Sequence, residues 1–425
     1  EYLGFLRDSP SAAQRLCHVL SNSRFLGDAL NKSVESVTWL GNDEELKPRT
    51  RESLDIQTKA ALERNAGSIN DFANSVRVMR RHEIERIGLA WMSGVTDDAT
   101  SLADMTDVYD AIIEASLRWA IRHQLDEMRF DEAPAAIAVI GMGRYGGREV
   151  NFSSDADVII IYRPTEEADD GQANLFARKV QEDLRAILQG PTTFEPKIEL
   201  DMDLRPEGKN GPLVRSYASC EEYYRSWAST WEHQALLRAR HAAGDVALAE
   251  DFLGNIANPL RYPKTDPTET QIAEIRKLKA RMEAERLPRG VRRERHLKLG
   301  KGGLSDVEWT IQLLQLQHAG ENANLCVNGT LEALDELERR RLIDAGDAVI
   351  LRKAWRMCTA ARNGSYLWSG RVNQADILPD DTYSLGGIAV YLGYDANRGQ
   401  HFENDLLAVM RKSRDVMERL FYGRA

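Results

Sequence analysis

The chain has 425 residues, of which 43% are hydrophobic and 29% are charged, and its formal net charge is −10 at pH 7. This length exceeds one ordinary hydrophobic core, so more than one domain is expected. The acidic balance argues against a nucleic-acid-binding protein, because such proteins carry an excess of Lys and Arg.

The spacing of the cysteines and the length of the apolar runs bear on the cellular compartment of the protein. Cys17, Cys220, Cys326 and Cys358 are scattered without a CxxC pair, which predicts no disulfide framework, no zinc site and a cytoplasmic location. No apolar run reaches the roughly 18–20 residues of a membrane span, and no signal peptide is visible. The chain opens "EYLGFLRDSP" without a methionine, so we expect a piece of a longer protein.

Helical periodicity dominates the first part of the chain, over residues 10–32, 55–95 and 107–128. We expect residues 1–105 to form a helical leading segment. The residue pattern changes from helical to strand-like after this segment, because "AAIAVIGM", "ADVIIIY" and "PKIELDMDLRP" predict strands. The third run alternates, with carboxylates on one of its faces, namely Glu199, Asp201 and Asp203.

A helical segment, "NLFARKVQEDLRAILQG", separates the second and third strands, and residues 106–250 therefore predict a core with a small mixed sheet. The stretch "EEYYRSWASTWEHQALLRARHAAGD" predicts one long helix. "NPLRYPKTDPTE" reads as a linker, and residues 265–425 predict a C-terminal helical domain. The fold class is α+β, mostly α, with helical domains flanking the core.

Gly141, Gly143 and Gly146 spell the G-x-G-x-x-G pattern of a dinucleotide-binding loop. Such glycines open a helix, and the acidic residue of the motif follows about 20 positions later. Here "ADVIIIY" follows after only "GREVNFSSD", which is too short and polar for a crossover helix. No G-K-[ST] follows the glycines, so a Walker loop is excluded as well.

Asp155 and Asp157 lie on one face of the second strand, about 7 Å apart by strand rise. Two carboxylates in this geometry suit a pair of Mg²⁺ ions that hold a triphosphate, and the third strand would supply another carboxylate. A single D-x-D is more often a solvated strand edge. Its combination with a Gly-Gly turn, a Ser-Ser loop and a carboxylate-bearing strand favours the metal site.

Further phosphate ligands are expected around this pair. The Gly146–Gly147 turn lets backbone N–H groups approach phosphate oxygens without an intervening Cβ. Ser153 and Ser154 would donate hydroxyls to the same oxygens, or hydrogen-bond their own turn. Arg205 would steady a leaving pyrophosphate or form a surface ion pair.

Eleven Lys and Arg residues lie between Arg276 and Lys301. One interpretation is a solvated basic helix face followed by a capped turn, with Ser305 as N-cap and Glu308 three residues on. The other is a wall that reaches phosphates through Lys298 and Lys301.

The Gly-Gly, Ser-Ser and D-x-D constellation resembles the nucleotidyltransferase superfamily related to DNA polymerase β. Together with "ELDMDLRPEGKNGPLVRS", "WEHQALLRARHAAGD" and "KLGKGGLSDVEWTIQLLQLQH", it is similar to the glutamine synthetase adenylyltransferase family. The similarity runs from about residue 105 to the C-terminus. "ARMEAERLPRG", "SDVEWTIQ" and "MERLFYG" resemble the C-terminal, adenylyl-adding half in its actinobacterial form.

The resemblance implies transfer of AMP from ATP to a tyrosine hydroxyl of glutamine synthetase, with release of pyrophosphate. Asp155 and Asp157 would ligate two Mg²⁺ or Mn²⁺ ions, and Asp201 would complete the metal nearer the tyrosine. Asp203 stands where the family pattern has arginine, which leaves its role open. Glutamine and a PII-type nitrogen signal protein are implied as effectors.

Three alternatives remain open on the sequence. In the first alternative, the chain is the adenylyl-removing half, which uses the same metals with phosphate as the attacking group. It would otherwise be a nucleotidyltransferase for a different substrate, or a catalytically silent module that binds nucleotide or partner proteins.

Overall fold

The computed structural model describes residues 2–191, 195–288 and 290–424. It is mostly helical and contains one small mixed sheet, which confirms the mostly-α, α+β class. Within the described ranges, no helix is both long enough and apolar enough to cross a membrane.

The helices before the sheet are α1 (Tyr2–Asp8), α2 (Pro10–Asn22), α3 (Arg24–Lys32), α4 (Asp43–Leu46), α5 (Arg51–Arg64), α6 (Ile69–Met92) and α7 (Asp98–Met128). Ser23 divides the predicted helix 10–32, because its side chain accepts the N–H of Leu26 and starts α3. Helix α7 begins earlier than the predicted residue 107, since the Asp97 carboxylate caps it by accepting the N–H of Thr100.

The sheet begins with β1 (Ala135–Gly141), and the short helix α8 (Gly143–Gly146) leads towards β2 (Ala156–Pro164). Helix α9 (Asp170–Gln189) follows, and then β3 (Leu200–Asp201), β4 (Val214–Ser216) and, later, β5 (Arg240–Gly244). β1 pairs antiparallel with β2 on one side and with β5 on the other. β3 and β4 both lie parallel to β2, along its free edge.

Both faces of β1 and β2 are buried, which explains why these strands are continuous apolar runs. Val139 and Ile160 belong to the core that contains the helices before the sheet and α9. Ile140 and Ile159 belong to a second core on the opposite face of the sheet.

The predicted third strand pairs with β2 over only two residues, at Leu200 and Asp201. The predicted alternation still holds, because Ile198, Leu200 and Met202 are buried while Glu199 and Asp203 are exposed. After Met202 the chain leaves the sheet edge, and it returns to it as β4.

The single long helix predicted over "EEYYRSWASTWEHQALLRARHAAGD" is wrong. The segment forms α10 (Tyr217–Ser226), α11 (Thr230–Leu236) and strand β5. Ser229 and Glu232 form a capping box that starts α11 after a break, which a helical periodicity count does not register. "RHAAG" pairs with β1, so a tertiary contact overrides its local helix preference.

The remaining helices are α12 (Val246–Asp251), α13 (Asn258–Arg261), α14 (Glu269–Glu285), α15 (Leu304–His318), α16 (Thr330–Arg339), α17 (Ala345–Ser369), α18 (Thr382–Tyr391) and α19 (Gly399–Leu420). Helices α15 to α19 surround a hydrophobic core of their own, which includes Trp355 and Phe402. Buried polar contacts tie them to the sheet region, where the Glu149 carboxylate accepts the N–H and the hydroxyl of Thr330.

Candidate active site

Strands β2 and β3 bring three aspartates together. Asp155 directly precedes β2, and Asp157 within β2 is the register partner of Asp201 in β3. One carboxylate oxygen from each residue lies within 4.8 Å of the others. The period-2 geometry of the strand and the parallel pairing of its edge therefore place Asp155, Asp157 and Asp201 in one cluster.

These carboxylates are short of protein partners. Asp155 and Asp157 form no hydrogen bond or ion pair with side chains in the described ranges, and Asp201 Oδ1 accepts only the N–H of Asp203, at 2.8 Å. Burial, together with the charges of Asp155 and Asp201, raises the pKa of Asp157 to about 7. The cluster is thus an uncompensated concentration of negative charge.

The donor set fits divalent metal ions. Mg²⁺ and Mn²⁺ prefer carboxylate oxygens, and a cation would relieve the mutual repulsion that raises the pKa of Asp157. Asp155, Asp157 and Asp201 are the residues that would hold such ions.

Gly143, at the start of α8, lies against this cluster. Its φ of 52° falls in the left-handed region, and a Cβ at this position would sit 2.1 Å from Asp157 Oδ2. Glycine is therefore required twice over, by backbone conformation and by the close approach of the carboxylate. The second glycine of the dinucleotide-like pattern is the one that borders the acidic site.

Gly146 and Gly147 have different neighbours. A Cβ on Gly146 would meet the Arg238 carbonyl oxygen at 2.0 Å, and one on Gly147 would meet the Arg238 Nη1 at 2.4 Å. Of the described residues, neither of these two glycines lines the cavity that contains the aspartates. Both lie where the chain packs tightly against Arg238.

Ser153 and Ser154 line the cavity, and both hydroxyls hydrogen-bond within their own loop. Ser153 Oγ and Ser154 Oγ donate to Asn151 Oδ1 at 3.2 and 2.7 Å. The Tyr109 hydroxyl donates to the Ser154 carbonyl at 3.1 Å and fixes the loop from the side of α7. The loop is therefore held in place before any ligand arrives.

Arg205 organises the chain between β3 and β4. Its guanidinium donates to the carbonyls of Met202, Gly211 and Lys209 at 2.7, 3.0 and 3.1 Å, and the residue is 7% exposed. Arg205 is not among the described residues that line the cavity. Its position holds the turn that follows Asp201.

The cavity above the aspartates has a volume of about 810 Å³. Its opposite wall comes from α8, the loop before α15, α15 itself, and α17 with the segment that follows it. The charged side chains of that wall are Arg144, Lys298, Glu308, Arg362 and Asp376. Trp309 and Tyr366 supply aromatic surface to the same space.

The basic segment from Arg276 to Lys301 separates into distinct roles. Lys298 and Arg286 line the cavity, Lys301 is exposed, and Lys279 is buried against Asp306. Arg289 lies outside the described residues. The predicted N-cap at Ser305 is wrong, since Gly303 precedes the first helical residue of α15, and Glu308 pairs with Arg144 at 2.6 Å.

Residues 13–255, more than half of the chain, match a family model described as glutamate-ammonia ligase adenylyltransferase. The chain belongs to this family. The match confirms the family to which the sequence motifs point. Residues 273–421 match a second model, described as GlnD PII-uridylyltransferase.

Curated relatives of this adenylyltransferase-family chain are named bifunctional glutamine synthetase adenylyltransferase/adenylyl-removing enzyme. The protein of Bifidobacterium longum strain DJO10A is 78% identical over 423 residues, which cover 100% of this chain and 39% of the relative. That of Leifsonia xyli is 42% identical and that of Mycobacterium tuberculosis 40%, each over 99% of this chain. The chain spans 39%, 40% and 42% of the length of these three relatives.

The sequence motifs of this family member point to one wall of the cavity and miss most of the other. Arg144, Arg362, Asp376 and Tyr366 line the site without any motif that sets them apart. Arg144 lies between the glycines of the G-x-G-x-x-G pattern, shortly before Asp155 in the sequence. That closeness along the chain was the one sequence feature that could have indicated a place for Arg144 in the site. The other three come from α17 and the segment after it, which only folding brings to β2.

Proposed function

We propose that this chain transfers AMP from ATP to a tyrosine hydroxyl of glutamine synthetase and releases pyrophosphate. One observation carries the proposal, namely three aspartates without cationic partners that face a charged wall across one cavity. Nucleotidyl transfer needs positioning and charge neutralisation more than covalent help from the protein. The names of the relatives support glutamine synthetase as the target. The modification would lower the activity of the synthetase in response to nitrogen status.

We assign the sheet region, residues 106–250, as a DNA polymerase β-like nucleotidyltransferase core. Residues 1–105 would form the helical leading segment and residues 265–425 the C-terminal helical domain. The parallel pairing of β3 with the start of β2, which sets Asp201 beside Asp157, supports this assignment. The separate hydrophobic core of helices α15 to α19 supports the C-terminal unit.

Each aspartate has a proposed role. Asp155 and Asp157 would hold two Mg²⁺ or Mn²⁺ ions, and Asp201 would hold the one nearer the tyrosine and favour loss of its proton. The bound ions would neutralise charge on the phosphates and on the entering and leaving oxygens. The N–H of Asp203 donates to Asp201 Oδ1 at 2.8 Å and so restricts the rotation of that carboxylate.

The other residues predicted to bind the nucleotide fall into two groups, those that border the cavity and those that do not. Ser153 and Ser154 border the cavity and would contact phosphate oxygens through their hydroxyls or backbone. Gly146, Gly147 and Arg205 would act on the nucleotide indirectly, by fixing the chain around α8 and after β3. Trp309 and Tyr366 offer the aromatic surface on which adenine would stack.

The effectors are proposals as well. Glutamine and a PII-type nitrogen signal protein would regulate the transfer, as the family resemblance implies. The cytoplasm is the proposed location, which the four free cysteines support.

The relatives carry two activities in their shared name, so the adenylyl-removing reaction is the second candidate. It would use the same aspartates, with inorganic phosphate attacking the adenylylated tyrosine. The two directions differ in the added substrate and in the product released, which makes them separable in one experiment.

The test is to incubate the chain with Mg²⁺, α-labelled ATP and unmodified glutamine synthetase. We expect label on a tyrosine of the synthetase and release of pyrophosphate, both of which require Asp157. A parallel incubation supplies adenylylated synthetase and phosphate. Release of ADP there, without labelling in the first reaction, would assign the removing activity instead.

A further inference from the structure

A group of three cations lies on the wall opposite the aspartates. Arg144 comes from α8, Lys298 from the loop before α15, and Arg362 from α17. Two of them, Lys298 and Arg362, come from the part of the chain after residue 265, far along the chain from β2. The group therefore exists only when the sheet region and the C-terminal helices are assembled.

The three cations share only two carboxylates. Arg144 pairs with Glu308 at 2.6 Å, and Arg362 Nε pairs with Asp376. Lys298 forms no ion pair and no side-chain hydrogen bond within the described residues. One positive charge is thus left without a partner.

Arg362 adds an independent observation. The residue is 4% exposed, and its Nη1 has no hydrogen-bond partner in the described part of the chain, although the side chain lines the cavity. A buried guanidinium donor without an acceptor is unfavourable, and Asp376 is the one carboxylate paired with Arg362 among the described residues, so the charge of Arg362 is only partly compensated. Burial and the charges of Arg362 and Arg144 also lower the pKa of Lys298, which shows that the three cations repel one another.

Other cations of the cavity do not share these surroundings. Lys197 and Arg286 also line it, but both residues are exposed, so water and salt screen their charges. Arg238 is buried and is already bound to the Asn328 carbonyl, to Thr330 and to Glu149. Arg80 also lines the cavity and is buried, its Nε has no hydrogen-bond partner among the described residues, and it donates to the Tyr109 hydroxyl at 2.9 Å from its place in α6. Among the cavity cations that follow residue 265, the unsatisfied positive charge lies at Lys298 and Arg362.

The position of this group relative to the aspartates indicates which part of a nucleotide it meets. Lys298, Arg144 and Asp157 line the same cavity, and the two positive charges oppose the rise of the Asp157 pKa. A phosphate chain held at the aspartates would continue towards Lys298. Negative charge develops on the leaving phosphates during transfer, and fixed cations are most effective there.

We propose that Lys298 and Arg362, with Arg144, form the binding subsite for the two phosphates of ATP that leave as pyrophosphate. This inference rests on the proposed function, because it assigns the leaving group of that reaction. The C-terminal helices then supply part of the nucleotide site itself, and the sheet region alone is incomplete.

The experiment measures binding of inorganic pyrophosphate and of AMP to the whole chain, by titration calorimetry in Mg²⁺ buffer. The test variant is Lys298→Gln, and Lys298→Arg restores the charge. The matched control is Lys301→Gln, three residues on in the same loop, where the lysine is exposed and does not border the cavity. Thermal unfolding checks that all three variants fold.

We expect Lys298→Gln to weaken pyrophosphate binding about tenfold or more and to change AMP affinity less than twofold. Lys298→Arg should stay within a few-fold of the unaltered chain, and Lys301→Gln should match it. Equal losses for AMP and pyrophosphate would overturn the proposal, since they would place Lys298 at the phosphate that is transferred. The proposal would also be overturned if the unaltered chain did not bind pyrophosphate, or if Lys298→Gln bound pyrophosphate as tightly as the unaltered chain.

A third titration, with inorganic phosphate, separates the two directions of reaction. A tenfold loss for phosphate with none for pyrophosphate would overturn the assignment and indicate a site for the attacking phosphate. Failure of the proposed function looks different, because it would show as absent labelling of glutamine synthetase. Absent labelling together with selective loss of pyrophosphate binding would retain the subsite for transfer to another acceptor.

Discussion

Asp306 in α15 is fully buried and Asp157 in β2 is half-buried at the cavity, and their surroundings differ sharply. Asp306 is 0% exposed and accepts from Lys279 Nζ at 2.6 Å, Arg414 Nη1 at 2.9 Å and the Gly302 N–H at 2.6 Å. Asp157 has no such partner among the described residues, and its carboxylate faces two other aspartates. One carboxylate is fully compensated and the other is left with surplus negative charge.

This difference is the one expected between a structural carboxylate and a carboxylate that binds a ligand. A buried charge with three donors holds its neighbours in place, and removing it leaves those donors unpaired. A carboxylate that faces like charges destabilises the empty protein, so its presence calls for a cation. The two aspartates should therefore respond in opposite ways to the same substitution.

The largest expected effect is on activity, at Asp157. If Asp157 holds a metal ion as proposed, Asp157→Asn should lower AMP transfer on the order of 10³-fold, because one of the proposed metal ligands is lost. Its thermal unfolding temperature, measured without divalent ions, should be unchanged or higher, since repulsion within the cluster is reduced. Near-normal transfer by this variant, or a marked loss of stability, would remove the distinction drawn between the two aspartates.

Asp306→Asn should give the converse result on stability. We expect the free energy of unfolding to fall by about 3 kcal/mol, because Lys279 and Arg414 remain buried with one counter-charge removed. Denaturant titration measures this loss. Glu182→Gln is the control, since its ion pair with Lys179 is exposed and should contribute at most about 0.5 kcal/mol. Equal stability of the two variants would contradict the prediction.

Asp201 and Asp203 extend the comparison to two neighbours on one strand. Asp201 lies in the aspartate cluster, whereas Asp203 is exposed and pairs with Lys209 at 3.2 Å. Asp201→Asn should reduce transfer on the order of 10²-fold more than Asp203→Asn. The comparison is made at equal protein concentration with labelled ATP. The reverse order would shift the assigned register of β3 by two residues.

Glu85 in α6 tests whether burial alone reproduces the unfavourable charge of Asp157. Burial raises the pKa of Glu85 from its ordinary 4.5 to about 7. The folded state then binds more protons than the unfolded state between these values, so stability falls as pH rises through that window.

Glu85→Gln should therefore stabilise the chain by about 2 kcal/mol at pH 8 and by much less at pH 5. Thermal unfolding at the two pH values measures the difference. Glu63→Gln is the control, because Glu63 is exposed in α5. This substitution should change the free energy of unfolding only slightly, and by the same amount at pH 5 and at pH 8. A gain that does not depend on pH would show that packing, not charge, limits stability at Glu85.

Local rules predicted part of the fold and of the site. The apolar, β-branched runs predicted β1 and β2, since burial on both faces needs continuous hydrophobic strands. The period of two placed Asp155 and Asp157 on one side of β2. The same rules failed over α10, α11 and β5, where a capping box breaks the helix and pairing with β1 forms a strand.

The sequence by itself placed Asp155 and Asp157 on one side of a strand, because they lie two residues apart, and it predicted a further carboxylate from the third strand. The pairing of β3 with β2 then brings Asp201 beside Asp157. Only the tertiary structure decided the opposite wall, where Lys298 and Arg362 line the same cavity as Asp157 although more than a hundred residues of chain separate them from it. Local patterns encode local conformation, whereas partner number and burial depend on the whole fold. For that reason Asp157 and Asp306 look alike in sequence and differ in charge compensation.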